Sequence, residues 1–281
     1  MVVRAQERDL APPQAPSAAK TRRLRWWHEV LLIAVGYAVY TVIRDAVPTE
    51  EGAAFAHARE IERLERGLGL FHEHGVNTWL TAHHSLVVLA NYWYALAHFV
   101  ITGAIAIWVL WKHPQHARPL RLAWYSMNVT ALIGFAVYPL APPRLMPGFI
   151  DTVVRFDTWG SWGSHGVDAA SNQYAAMPSL HMGWAIWCAV VVAVLARRWW
   201  LKALALAYPL ITMLVVIGTA NHYLLDVAGG LIVLVIGFAV QALITRAGPF
   251  RPEAPRGAGR APSVQGGRAG PSPDRVKPMR P

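Results

Sequence analysis

The feature that most constrains this chain is a series of long apolar stretches separated by polar connections. A helix of about 20 apolar residues spans the hydrocarbon core of a bilayer, and most of these stretches approach that length. Only 15% of the 281 residues are charged, whereas soluble domains carry about 25%. The sequence therefore predicts an all-α, polytopic membrane protein with six transmembrane helices in a bundle. The predicted spans are residues 28–47, 86–111, 122–140, 178–196, 203–220 and 222–244.

The two ends of the chain differ in composition from this bundle. Residues 1–25 are rich in Ala, Pro and Arg, and residues 247–281 in Pro, Gly and Arg. Neither segment shows apolar periodicity, so we expect both to be disordered tails flanking a six-span domain at 26–246. The block at 28–47 begins late for a signal peptide and lacks a small-residue cleavage site at its end, which predicts a retained first span.

The polar connection at 48–85 contains one amphipathic stretch. Ala58, Ile61, Leu64 and Leu68 recur at helical spacing, with charged residues between them. This pattern predicts a helix with one apolar face. We expect that helix to lie in the membrane interface.

The distribution of basic residues predicts the orientation. The loops at 112–121 and 197–202 hold six Lys or Arg in sixteen residues, whereas the connections at 48–85 and 141–177 hold five in seventy-five. By the positive-inside rule, the short loops and both termini are cytoplasmic, and we expect a multi-pass protein of the cell membrane. The net charge of +10 is thereby explained, and we expect membrane lipids, not nucleic acid, as partners.

Two polar islands interrupt the apolar sequence. The first is Pro178-Ser179-Leu180-His181 and the second is His222 with Asp226. Four residues separate His222 from Asp226, so both lie on one helical face. An imidazole held by a carboxylate suits a nucleophile or a general base. Ionisable groups within a membrane are costly and usually functional, so the islands predict an active site.

The predicted orientation places these groups at one level. His181, His222 and Asp226 fall at the extracytoplasmic ends of their spans, together with Arg44 and Arg144. We therefore expect the site on the extracytoplasmic side.

A polar stripe marks the span at 86–111. Asn91, Tyr94 and His98 are spaced so that they share one helical face. They either contact substrate inside the bundle or form interhelical hydrogen bonds alone. Both interpretations remain open.

Two other classes of function are compatible with these residues. His181, His222 and Asp226 could ligate a metal, although metal sites usually show a denser ligand set, and we expect no metal or cofactor. A transporter or a lipid-binding protein without catalysis could also need polar groups in the bundle. Transporters, however, bind their cargo near the middle of the membrane, whereas these groups lie at one surface.

Three motifs together resemble the type 2 phosphatidic acid phosphatase superfamily. They are Pro142-Pro143-Arg144, Pro178-Ser179-Leu180-His181 and His222-x-x-x-Asp226. The chain looks most like the inositol phosphorylceramide synthase branch. The resemblance implies that Arg144 binds phosphate, that His181 protonates the leaving oxygen, and that His222 attacks phosphorus while Asp226 orients it. It also implies a lipid phosphate or phosphodiester substrate, with a hydroxyl acceptor if the reaction is a transfer. A polyprenyl phosphate or diphosphate phosphatase of the same superfamily is the alternative.

The chain departs from the superfamily pattern at three positions. Leu180 replaces a common glycine, and Val137 and Val216 stand where a lysine and an arginine are usual. Fewer phosphate-binding cations favour the synthase-like branch. We expect Arg44 to supply part of the missing charge, unless it merely extends to the lipid headgroups. The motifs do not separate hydrolase from transferase, and the oligomeric state stays open.

Overall fold

The computed structural model describes residues 51–158 and 173–250, and its regular elements there are helical. Eight helices are labelled in chain order. They are α1 Glu51–Gly67, α2 Glu73–Thr81, α3 His84–Lys112, α4 Pro114–Val137, α5 Thr152–Phe156, α6 Leu180–Leu195, α7 Trp199–Gly218 and α8 Leu224–Thr245. Within α3 the turn Trp93–Ala97 is π-helical. The predicted all-α class is confirmed for this part of the chain.

Four helices are long and apolar enough to cross a membrane: α3, α4, α7 and α8. Helix α6 is also apolar but has 16 residues, fewer than the roughly 20 that a straight span needs. Five of the six predicted apolar blocks therefore coincide with helices. The block at 28–47 lies outside the described residues, so the count of six spans stays a prediction.

Helix α4 begins earlier than the sequence suggested. It starts at Pro114 and not near residue 122, because proline suits the first turn, where its missing N–H is not needed. Arg118 and Arg121 consequently belong to the helix, where we expected a loop. The short basic connection is thus reduced to His113 alone.

The core lies around α6. Its Trp187, Cys188 and Val191 are almost completely buried and pack with residues of the other long helices. By contrast, the outer faces of α7 and α8 expose large apolar side chains such as Leu204 and Ile232. Exposed apolar side chains are typical of helices surrounded by lipid, because lipid tails are as apolar as the protein interior and no hydrophobic force drives these side chains inward.

Helices α4 and α8 approach closely at Gly237. A Cβ atom at this position would lie 2.5 Å from the Ala123 carbonyl oxygen and 3.0 Å from Met127 Cβ. Gly237→Ala should therefore lower the stability by about 1–3 kcal/mol through overpacking, measured as a lower Tm in detergent. Gly103→Ala is the matched control, because a Cβ there has no neighbour within 4 Å. Equal Tm values for the two variants would contradict this packing.

Helix α1 forms where the amphipathic pattern predicted it, but its buried face is rotated. Ala58 and Ile61 are buried as expected, whereas Leu64 and Leu68 are more than half exposed and Glu65 is fully buried. A carboxyl thus occupies a position on the packed face. The location of α1 in the membrane interface stays a prediction.

Short backbone contacts join the segments that carry the motifs. Leu140 forms an isolated parallel bridge with Ala175, and its N–H donates to the Tyr174 carbonyl at 2.7 Å. The Ala141 N–H donates to the Ala54 carbonyl of α1 at 3.2 Å. These bonds bring α1, the segment after α4 and the segment before α6 together at one end of the bundle.

Candidate active site

His222 lies in the short connection between α7 and α8 and is 4% exposed. Its Nδ1 is 2.9 Å from the Ala176 carbonyl oxygen and 3.4 Å from Asp226 Oδ2. Both neighbours are acceptors, so Nδ1 carries the proton of a neutral ring. Its Nε2 is buried and has no hydrogen-bond partner among the described residues. This nitrogen therefore retains a free lone pair, as a nucleophile requires.

Asp226 is fully buried in the first turn of α8. Its Oδ2 accepts the Tyr223 N–H at 2.9 Å and faces the His222 ring at the same time. The carboxylate therefore caps its own helix and stabilises the imidazole. The orientation of His222 is shared between this carboxylate and the Ala176 carbonyl, which the sequence could not have indicated.

His181 is the second residue of α6 and stacks on the ring of Tyr94, with 4.1 Å between the centroids. Its Nε2 lies 3.3 Å from the Tyr94 carbonyl oxygen. The His181 and His222 rings are 5.9 Å apart between centroids. Two imidazoles at that separation can contact one phosphoryl group from different sides.

The π-helical turn of α3 supports His181. The carbonyl of Tyr94 in this turn lies 3.1 Å from His98 Nδ1 as well as near His181. His98 also contacts the His181 ring edge-to-face at 4.3 Å. Such π-helical turns displace backbone groups from the regular ladder and often mark functional positions. Tyr94 and His98, two residues of the polar stripe on this span, therefore contact His181 of the histidine pair formed by His181 and His222.

Asn91, the third residue of that stripe, is engaged elsewhere. Its Nδ2 donates to the Thr152 carbonyl at 3.1 Å and to Thr158 Oγ1 at 2.8 Å. Its Oδ1 accepts from Thr152 Oγ1 at 2.7 Å. Asn91 thus holds the segment around α5 to α3, which is the hydrogen-bonding interpretation of the stripe.

Arg144 lies next to the connection that carries His222. Its N–H donates to the Ala220 carbonyl at 2.7 Å, and its guanidinium Nη1 donates to Asn221 Oδ1. The Nε atom is 3.8 Å from Asp151 Oδ2. The side chain remains 20% exposed, so part of a planar fork suited to phosphate oxygens is accessible. Asn221, which the sequence did not single out, positions this fork.

The connection before α8 has an unusual backbone. Ala220 adopts a left-handed conformation with φ 55°, which is uncommon for a residue with a side chain. The Asn221 and His222 N–H groups both donate to the Val216 carbonyl, at 3.0 and 3.2 Å. The end of α7 thus fixes the path of the chain immediately before His222.

Comparison with models of known protein families identifies the family of this chain. The model of the PAP2 superfamily matches residues 59–240. The chain belongs to the PAP2 superfamily. No curated protein and no solved structure matches it significantly. Membership supports a lipid phosphatase-type function with lipid phosphates as substrates, and the apolar helices suggest that this PAP2 protein is embedded in a membrane.

The structure also locates the two valines that stand where the superfamily resemblance places a lysine and an arginine. Val137 is 76% exposed at the end of α4, and Val216 is fully buried near the end of α7. Neither provides a charge, so Arg144 is the cation that the described residues place beside His222. Arg44 lies outside the described residues, and so does the segment 159–172.

Two further carboxyls reach the first turn of α8 from the N-terminal helices. Glu65 Oε1 accepts the Leu225 N–H at 2.7 Å, and Glu73 Oε1 accepts the Leu224 N–H at 3.0 Å. Both side chains are almost completely buried. Burial raises the pKa of Glu65 to about 8. Sequence reasoning missed these contacts, because a charged residue on an amphipathic helix is normally solvated and residues 73–81 lack a clear apolar period.

Proposed function

We propose that this chain is an integral-membrane lipid phosphatase or phosphotransferase that works through a phosphohistidine at His222. The observation that supports it most is the buried, unpartnered Nε2 of His222, whose other nitrogen is held by two acceptors. The His181 ring lies 5.9 Å from this ring between centroids, and Arg144 is hydrogen-bonded to Ala220 and Asn221 in the connection that carries His222. Nucleophile, proton donor and phosphate-binding fork are thus supplied by three separate segments.

In the first step, Arg144 binds phosphate oxygens and Nε2 of His222 attacks phosphorus. The bond from phosphorus to the leaving oxygen breaks, and protonated His181 donates its proton to that oxygen. The Nδ1 proton stays on His222, so the phosphorylated ring is cationic. Asp226 and the Ala176 carbonyl stabilise that charge in a site shielded from water.

In the second step, a hydroxyl group attacks the phosphorus of the phosphohistidine. His181 is now neutral and accepts the proton of the attacking group, and the phosphorus–nitrogen bond breaks. Water as the nucleophile gives hydrolysis, and the hydroxyl of a lipid or sugar gives transfer. The same residues serve both outcomes, because they act on phosphorus and not on the acceptor.

The charge of the site favours a phosphodiester, and with it the inositol phosphorylceramide synthase-like branch. A phosphodiester carries one negative charge, whereas a phosphomonoester carries up to two. Val137 and Val216 stand where the superfamily resemblance places cations, so this site is better matched to the smaller charge. We extend the proposal to a phosphoinositol-type headgroup passed to a hydroxyl acceptor.

The location of the site is part of the same proposal. The distribution of basic residues along the sequence supports cytoplasmic termini and a histidine pair at the extracytoplasmic face. Arg44 would then reach the phosphate from the first predicted span and supplement Arg144. A lipid substrate would enter with its headgroup at the level of the bilayer surface.

A substrate panel tests the proposal. Purified protein is incubated with phosphatidate, polyprenyl phosphate, polyprenyl diphosphate and phosphatidylinositol, each with and without ceramide or diacylglycerol, and the products are identified by mass spectrometry. We expect headgroup chemistry, fastest for phosphatidylinositol with an acceptor. The same panel with His222→Ala excludes contaminating phosphatases. Lipid or solute flux in vesicles without any product would favour the transporter and contradict the proposal.

A further inference from the structure

Helix α8 begins two residues after His222, and the anchoring of its first turn decides where that ring points. Three carboxyls accept the N–H groups at this helix end: Asp226 from the helix itself, Glu73 from α2 and Glu65 from α1. The N-terminus of a helix is its positive end, so carboxylates are favourable there. Two of the three, however, come from segments that carry none of the superfamily motifs.

Glu65 and Glu73 are adjacent as well as buried. They accept from the consecutive N–H groups of Leu225 and Leu224, and Oε2 of each is buried without a donor among the described residues. Two carboxylates side by side in a site without water repel strongly, so one of them holds a proton. A proton between them gives the remaining oxygens the donor that they lack.

We infer that Glu65 and Glu73 share one proton and act together as positioning residues that hold the first turn of α8, and with it His222, in the reactive orientation. The inference rests on the proposed function where it concerns turnover. The shared proton itself stands on the contacts alone. Each carboxyl keeps one oxygen on a backbone N–H of α8 and uses the other within the pair. Loss of the proton would force the carboxyls apart and pull on that turn.

The groups around the pair are mostly acidic. Glu62 on α1 and Asp226 on α8 are close enough to act electrostatically on the buried hydroxyl of Tyr223. Arg66, 4.0 Å from Glu62, is a basic group at the edge of this cluster. A second negative charge on the pair would therefore add to an acidic surrounding, which makes the shared proton more favourable.

The sign of the pH dependence follows from burial. Burial raises the pKa of Glu65 above that of a carboxyl in the unfolded chain. The folded state therefore binds this proton more tightly, and the resulting stability is fully present below the unfolded pKa and is lost as pH rises through about 8. We expect Tm to fall progressively as the pH rises from about 4.5 to about 8, and kcat to fall as the folded protein loses the proton near pH 8.

Two substitutions separate the functions of the pair. Glu65→Gln keeps an oxygen for the Leu225 N–H and offers an N–H to Glu73, so it imitates the protonated state at every pH. Its kcat should stay within a few-fold of the parent value, and the falls in Tm and kcat toward pH 8 should disappear. Glu65→Ala removes the acceptor, and kcat should fall on the order of 10²-fold with little change in KM, because the nucleophile is displaced. Glu60→Gln, exposed on the same helix, is the control that should change neither.

The two readouts test different parts of the inference. The Tm measurement, made in detergent between pH 4.5 and 9.5, needs no substrate, so it tests the shared proton even if His222 is not the nucleophile. Glu65→Gln with the parent's fall in Tm toward pH 8 would overturn the shared proton. Parent kcat in Glu65→Ala would overturn the positioning role. If Glu65→Ala does not fold, Glu73→Ala tests the positioning role in its place, and parent kcat in that variant would likewise overturn it.

Discussion

Replacing His222 by alanine is expected to abolish turnover of any lipid phosphate or phosphodiester substrate. The substitution removes the nitrogen that is buried next to His181 and has no hydrogen-bond partner among the described residues. Removal of a nucleophile leaves only binding and charge stabilisation, so we expect kcat to fall roughly 10⁴-fold or more. The measurement is product formation under saturating substrate with folded, monodisperse protein.

The control for this variant is a histidine away from the site. His83 is exposed at the end of α2, and His83→Ala should keep the parent kcat. A His222→Ala protein with parent activity would show that another group attacks phosphorus. Gel filtration and Tm distinguish loss of the nucleophile from loss of folding, because the Ala176 carbonyl would lose its partner in the variant.

Arg144→Gln should lower kcat/KM by about 10²–10³-fold, which is the range for loss of one group that stabilises charge in the transition state. The backbone N–H of Arg144 still binds the Ala220 carbonyl in this variant, so the connection before His222 should keep its path. Arg144→Lys should recover part of the activity, because lysine supplies the charge but not the two-pronged contact. Steady-state kinetics on the preferred panel substrate gives both numbers.

Arg155→Gln is the matched control, since Arg155 is exposed on α5. Unchanged kcat/KM in Arg144→Gln would mean that the guanidinium serves only its bonds to Asn221 and Asp151. Arg44→Gln belongs in the same series: a large loss supports it as a second phosphate-binding cation. Parent turnover in Arg44→Gln would leave Arg44 as a residue that extends to the lipid headgroups.

Much of the architecture could be predicted because a bilayer imposes a simple rule. Apolar blocks of sufficient length become helices, and costly polar groups at their ends mark function. His181, His222 and Asp226 were found in this way, and the structure brings them together. The third span was predicted to end near residue 140, and α4 ends close by at Val137, because Pro139 and the prolines after it cannot continue a helix.

The other features of the site depend on groups whose roles cannot be predicted from the sequence. The Ala176 carbonyl that holds His222 is backbone, and any residue could supply it. Asn221 matters because the left-handed Ala220 turns it toward Arg144, which is a property of the chain path. Glu65 was not singled out, because isolated charges are normally solvated, but its contact with the first turn of α8 buries it.

The proposed mechanism requires a covalent intermediate at His222, and trapping that intermediate is its most direct test. The protein is mixed with a substrate carrying ³²P at the transferred phosphorus, quenched in alkali within the first turnover, and mapped by mass spectrometry. We predict an acid-labile, alkali-stable label on the peptide that contains His222, absent from His222→Ala and prolonged when the acceptor is withheld. Rapid turnover with no label on the protein, or with the label on another residue, would contradict the account.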